Sequence, residues 1–138
     1  MLSDEEWRKL HPFGWQFEIP GLLPTLNDYT RVNRANRFAA NKMKQDTEER
    51  IMAAIGKAPR FGQPVVIEFA WIRPDMRTDK DNVAFAKKFV LDALQKAGVI
   101  PSDRWKQCTP YDRAFMICKS NPRTVVRISL QEEKEIWN

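Results

Sequence analysis

Asp79 and Asp81 stand two residues apart in "RTDKDNVAFAKKFVLDAL", between a strand that should end near Ile72 and a helix that should begin near Asp81. Two carboxylates so close repel, and a hard divalent cation such as Mg²⁺, bound through oxygen and completed by water and phosphate, would relieve the repulsion. The competing reading is helix capping, since acids at a helix start favour the positive end of its dipole by roughly 0.3–1 kcal/mol each. At about 100° per residue, Lys88 and Asp92 fall on the stripe of Asp81 and Phe85, so a cation and a further acid share that face. Lys88 and Asp92 could equally form an i, i+4 ion pair. Asp103, after "AGVIPS", offers a third acid that a short turn could return toward Asp79, although Ser-Asp pairs are usually turn or cap residues.

The elements that must hold these residues follow from periodicity. "WQFEI" alternates as a strand over residues 15–19, stopped by Pro20 and Gly21; residues 22–36, with Pro24 and several Asn, read as a loop. A helix is expected over residues 37–55, with Phe38, Met43, Ile51 and Ile55 inward and Lys42, Lys44, Glu48 and Glu49 in water. "PVVIEFAWI", residues 64–72, is a strand with Val65, Ile67, Phe69 and Trp71 on one face. A second helix spans residues 81–97 and ends at Gly98. "AFMICK" and "TVVRISLQ" should form a hairpin across "SNPR". The expected fold is α+β, one domain over residues 1–138, with helices packed on a small mixed β-sheet in the order β-α-β-α-β-β.

The chain has 138 residues with 43% hydrophobic and 30% charged, which excludes a disordered or membrane-embedded class. Its apolar runs fall far short of the roughly 20 residues of a membrane span, and "MLSDEEWRKL" lacks the basic-then-apolar form of a leader, so a cytoplasmic location is expected. Two cysteines without C-x-x-C spacing and one histidine indicate neither a disulfide framework nor a zinc site. The net charge of +5 is unevenly placed. Arg31, Arg34, Arg37, Lys42 and Lys44 follow one another closely, while Glu132, Glu133 and Glu135 collect at the carboxyl end. Such a basic segment suits an anionic partner, nucleic acid above all, against the alternative of a solvated helix face. Asn27, Asn33 and Asn36 could contact DNA or simply form turns, and Phe38 and Trp105 are expected in the core rather than as wedges in a branched duplex.

The D-x-D-N of Asp79 to Asn82, the D-A-L of Asp92 to Leu94, "AGVIPSD" ending at Asp103 and "PTLNDY" from Pro24 to Tyr29 together resemble the RusA family of Holliday junction resolvases, over residues 20–130. The resemblance implies a homodimeric, Mg²⁺-dependent endodeoxyribonuclease that cuts four-way DNA junctions in recombination and repair, with Asp79, Asp81 and Asp103 as catalytic metal ligands. Mn²⁺ could replace Mg²⁺. The family commonly keeps a lysine at the position of Phe85 and often an aspartate at that of Ser102. Lys88, one turn beyond Phe85, is assigned the charge on the phosphate, and Asn82 and Asp92 a supporting role beside the ligands. DNA contacts are expected from Arg31, Arg34, Arg37, Lys42 and Lys44, with Lys80 and Lys87 nearer the metal. A protein of the same fold that binds branched double-stranded DNA without cutting it is the alternative; a protein-interaction module with merely solvated charges is a third.

Overall fold

The computed structural model describes residues 14–131. The acids Glu132, Glu133 and Glu135 and the lone His11 lie outside that range. Four strands, β1 (Trp15–Pro20), β2 (Val65–Arg73), β3 (Cys108–Ile117) and β4 (Arg123–Leu130), form one sheet in the order β1-β4-β2-β3. Helices α1 (Leu26–Ala35) and α2 (Arg37–Ile55) follow β1, and α3 (Lys80–Ala84) and α4 (Lys87–Lys96) link β2 to β3. The class is α+β with a mixed sheet: β4 is antiparallel to both β1 and β2, and β3 is parallel to β2. Among the described residues no helix is long and apolar enough to cross a membrane.

β2 is the strand whose composition announces it. Val65, Ile67, Phe69 and Trp71 are all buried on the face covered by helices, meeting Ile51 and Ile55 of α2, Val83 of α3 and Phe89, Val90, Ala93 and Leu94 of α4 in one core. A strand this apolar takes the interior of the sheet, where both of its edges find backbone partners. That preference overturns the expected β3–β4 hairpin. β2 lies between those two strands, and the link after β3 crosses its end, with the Cys118 N–H donating to the Arg73 carbonyl at 2.8 Å.

Residues 26–35, read from sequence as loop, are helical. Thr25 and Asp28 form a capping box, the Thr25 hydroxyl accepting from the Asp28 N–H at 3.1 Å and the Asp28 carboxylate from the Thr25 N–H at 3.0 Å. This satisfies two otherwise orphaned donors. Asn36 then ends α1 and caps α2, its Oδ1 accepting from Phe38 and Ala39. The asparagine that suggested a loop is a boundary between two helices. Thr25→Ala should therefore cost about 1 kcal/mol, read as a lower denaturation midpoint. The hydrogen bonds from Thr25 and the nearby Arg31 charge hold the Asp28 carboxyl below its ordinary 3.8. Because the folded value is depressed, its stabilising contribution is full above about pH 4 and is lost as pH falls through the lowered value. Asp28→Asn, which removes the titrating carboxyl, should flatten that acid-side loss.

α2 also differs from expectation. Its inward stripe is Ala40, Thr47, Glu48, Ile51 and Ile55, whereas Phe38 is 84% exposed. Glu48 is tolerated inside because the Lys96 ammonium of α4 reaches its carboxylate. The helix expected over residues 81–97 is broken at Phe85 and Ala86, where bonds to residues three back replace the regular ladder.

Candidate functional site

β2 ends at Arg73, and residues 74–79 turn the chain into α3, whose N-cap is Asp79 and whose first turn holds Asp81. Neither aspartate is consumed as a side-chain cap: Asp79 makes no capping hydrogen bond. Both line a cleft of about 590 Å³ together with Arg73, Asp75, Thr78 and Lys80, with Phe115, Met116 and Ile117 of β3 as its apolar wall. The Lys80 ammonium lies 5.4 Å from the centre of the Phe115 ring. Arg73 is steered by the Thr78 hydroxyl at 3.5 Å, and Asp75 by the Arg77 N–H at 3.0 Å. The cleft thus combines exposed carboxylates with two cations from different elements.

Its donors are all oxygen, the kind a hard divalent ion takes. Among the described residues no three His, Cys, Asp or Glu side chains are grouped to hold a metal. The arrangement fits an ion bound by one or two carboxylates and otherwise by water and phosphate, which is the habit of Mg²⁺ rather than Ca²⁺ or Zn²⁺.

Asp103 is not brought to this cleft. It lies five residues before Cys108, which pairs with Val65, while the cleft lies beyond the Arg73–Ile117 pair at the other end of the same two strands. Nine residues of strand separate those ends by about 30 Å, and five residues of chain reach at most about 18 Å. Burial pushes the Cys108 thiol up to about 11, with the Asp103 charge adding to the shift, which ties Asp103 to the distant end. The third ligand expected from sequence is therefore absent from the site formed within one chain.

Lys88 and Asp92 are redirected by the break at Phe85. Asp92 faces α2 and pairs with Lys44 at 3.7 Å, so neither the Lys88–Asp92 pair nor a supporting role beside Asp79 and Asp81 is seen. Lys88 is exposed and outside the cleft lining. The cations in place are Arg73, which sequence reasoning passed over because it ends an apolar strand, and Lys80. Phe85 packs instead on Tyr29 at 5.7 Å and Phe89 at 5.8 Å, securing α1 against the helix break. Asn82 serves the same junction, its Oδ1 accepting from the Asn27 N–H at 3.2 Å.

The basic segment is placed by the pairing of α2 with α4. Lys44 meets Asp92 and Glu48 meets Lys96, so the helices run in the same direction and the start of α2 lies toward the start of α4, the end nearer the cleft. Arg31 is paired with Asp28 at 3.3 Å and Lys42 with Asp46 at 3.5 Å. Lys87 is held by Asp112 at 2.9 Å and lies 5.9 Å from the Phe69 ring centre, a role in joining helix to sheet. Arg34 and Arg37, around the α1–α2 boundary, are exposed. Phe38 beside them and Trp105, 94% exposed, both stand in water rather than in the core as expected. Comparison with models of known protein families gave no match, and comparison with curated proteins gave no significant match.

Proposed function

We propose that this chain is a Mg²⁺-dependent endodeoxyribonuclease, with Mn²⁺ as a substitute ion, that cuts four-way DNA junctions as a homodimer in the cytoplasm. The observation that carries the reading is the shared cleft of Asp79 and Asp81 with Arg73 and Lys80. Hydrolysis of a phosphodiester breaks the P–O3′ bond as water adds to phosphorus, leaving a 5′-phosphate and a 3′-hydroxyl. Bound in this cleft, Mg²⁺ would supply a more acidic water and neutralise charge on the phosphate. Asp79 and Asp81 would hold the ion, Lys80 and Arg73 would pair with the phosphate oxygens, and Phe115 and Met116, which line the same cleft, would limit competing solvent. Arg34 and Arg37 contact phosphates further along an arm. A two-fold protein suits a two-fold junction, because both strands must be cut symmetrically.

The displaced Asp103 and the packed Phe85 favour a second reading, a protein that binds branched DNA without cutting it. A synthetic four-way junction incubated with the protein and Mg²⁺ or Mn²⁺ separates them: paired symmetric nicks support the nuclease, and tight binding with no nicks at any ion concentration supports the binder. Binding in either case should weaken steeply with salt. Arg34→Ala and Arg37→Ala should each reduce the slope of log affinity against log salt by about 1, measured by titration of labelled junction. Absence of salt-dependent binding would rule out both readings.

A further inference from the structure

Residues 33–39, which join the end of α1 to the start of α2, are all exposed, the longest such run among the described residues. They read N-R-A-N-R-F-A, and from residue 29 to residue 45 the chain carries no acid. The nearest carboxylates in sequence are already engaged, Asp28 by Arg31 and Asp46 by Lys42, and Arg34 and Arg37 form no ion pair among the described residues. Beside them Phe38 is 84% exposed, whereas Ala40 is 1% exposed. Two residues on a helix differ by about 200°, so burying Ala40 aims Phe38 away from the core.

This tip is held in place at both ends. The Asn36 Oδ1 accepts from the Phe38 N–H at 2.8 Å and from the Ala39 N–H at 3.3 Å, which fixes the backbone at the start of α2. The other end of α1 is tied to the helix that carries Asp81. There the Asn82 Oδ1 accepts from the Asn27 N–H at 3.2 Å, and Tyr29 packs on Phe85 and Phe89. From Asn27 to Asn36 the helix advances about 14 Å, roughly four base steps of 3.4 Å along a DNA arm. A phenyl ring and two guanidinium groups therefore stand at a set distance from Asp79 and Asp81.

We infer that Phe38 stacks on a base exposed where DNA arms diverge, while Arg34 and Arg37 hold the flanking phosphates. The acid-free, doubly cationic surround of the ring fits a polyanion as its occupant. Within a duplex arm each base is stacked on both faces, and opening a step is costly. At a branch point the arms are not continuous, and a base face is gained at less cost. An aromatic ring stacks on any base, since each presents a π-face, and cations beside it track the backbone. The ring thus supplies a preference for branched over continuous DNA that phosphate contacts alone do not give. This inference rests on the reading of the chain as a binder of branched DNA and not on cleavage.

The test is a synthetic four-way junction carrying 2-aminopurine beside the branch point, titrated with the full chain in EDTA so that no strand is cut. The wild-type protein should raise the 2-aminopurine emission at least about twofold, because a phenyl ring quenches it far less than a neighbouring base does. The same label in the middle of an arm should not respond. Phe38→Ala, checked for folding by circular dichroism, should abolish the rise and weaken junction affinity about tenfold. Its affinity for a linear duplex and its salt slope should match the wild type, since no charge is removed. Phe38→Tyr should keep the junction affinity. Unchanged emission in the wild-type complex, equal loss on junction and duplex with Phe38→Ala, or no loss on either, overturns the inference while junction binding stands. A wild-type protein that binds neither DNA overturns the branched-DNA reading, and the inference with it.

Discussion

Asp81→Asn is expected to slow Mg²⁺-dependent nicking of a four-way junction by about 10²–10³-fold, equivalent to about 3–4 kcal/mol of barrier, while junction binding persists or tightens. The substitution keeps side-chain size and removes one negative charge from the first turn of α3. Folding should hardly register it, since the lost helix-dipole interaction is worth at most about 1 kcal/mol. Binding should not suffer either, because the charge removed would otherwise repel a phosphate held by Lys80 and Arg73. The loss falls on catalysis alone if Asp81 holds the ion. Gel analysis of nicked arms alongside a binding titration reads both quantities. Unchanged nicking with Asp81→Asn would remove the cleft from consideration as the reaction centre.

Phe69→Ala should lower stability by about 3–5 kcal/mol, a large share of the roughly 5–15 kcal/mol of a domain this size. Phe69 is fully buried, its ring stacks on Trp71 at 5.2 Å with the planes 4° apart, and Lys87 lies above it. Truncation leaves a cavity at the centre of β2, removes the aromatic pair, and takes away the ring against which Lys87 is set while it bridges to Asp112. Urea denaturation should show a lower midpoint with unchanged slope. Tyr111→Ala on exposed β3 should change stability by no more than about 0.5 kcal/mol, and a similar effect for both would contradict the assigned core. Since β2 ends in Arg73 at the cleft, any loss of order in this strand reaches the site.

The features legible along the chain were local. The alternation of "VVIEFAW" depends on neighbours within one strand, and β2 and its buried face follow from it. The step from strand to helix around "RTDKDN" is equally short in range, and it placed Asp79 and Asp81 together at a helix start. α1 was also legible in principle, through the T-x-x-D of Thr25 and Asp28, but the asparagines and Pro24 pointed to turns, and Asn36 proved to cap one helix and end another. Phe38 and Trp105 were misplaced because hydrophobicity says what a side chain prefers, not whether the fold offers it a place inside.

The order of strands, and with it the make-up of the site, came from long-range packing. A turn sequence such as "SNPR" specifies that the chain reverses, yet which strand it returns beside depends on the total burial of the sheet, and β2 claimed the interior between β3 and β4. The parallel alignment of β3 with β2 then carried Asp103 away from Asp79 and Asp81, and the break at Phe85 turned Asp92 toward Lys44. Arg73 entered the site for the same reason that Asp103 left it. Spacing along the chain sets how far two residues can lie apart, whereas long-range backbone pairing sets the end of the sheet at which each one stands.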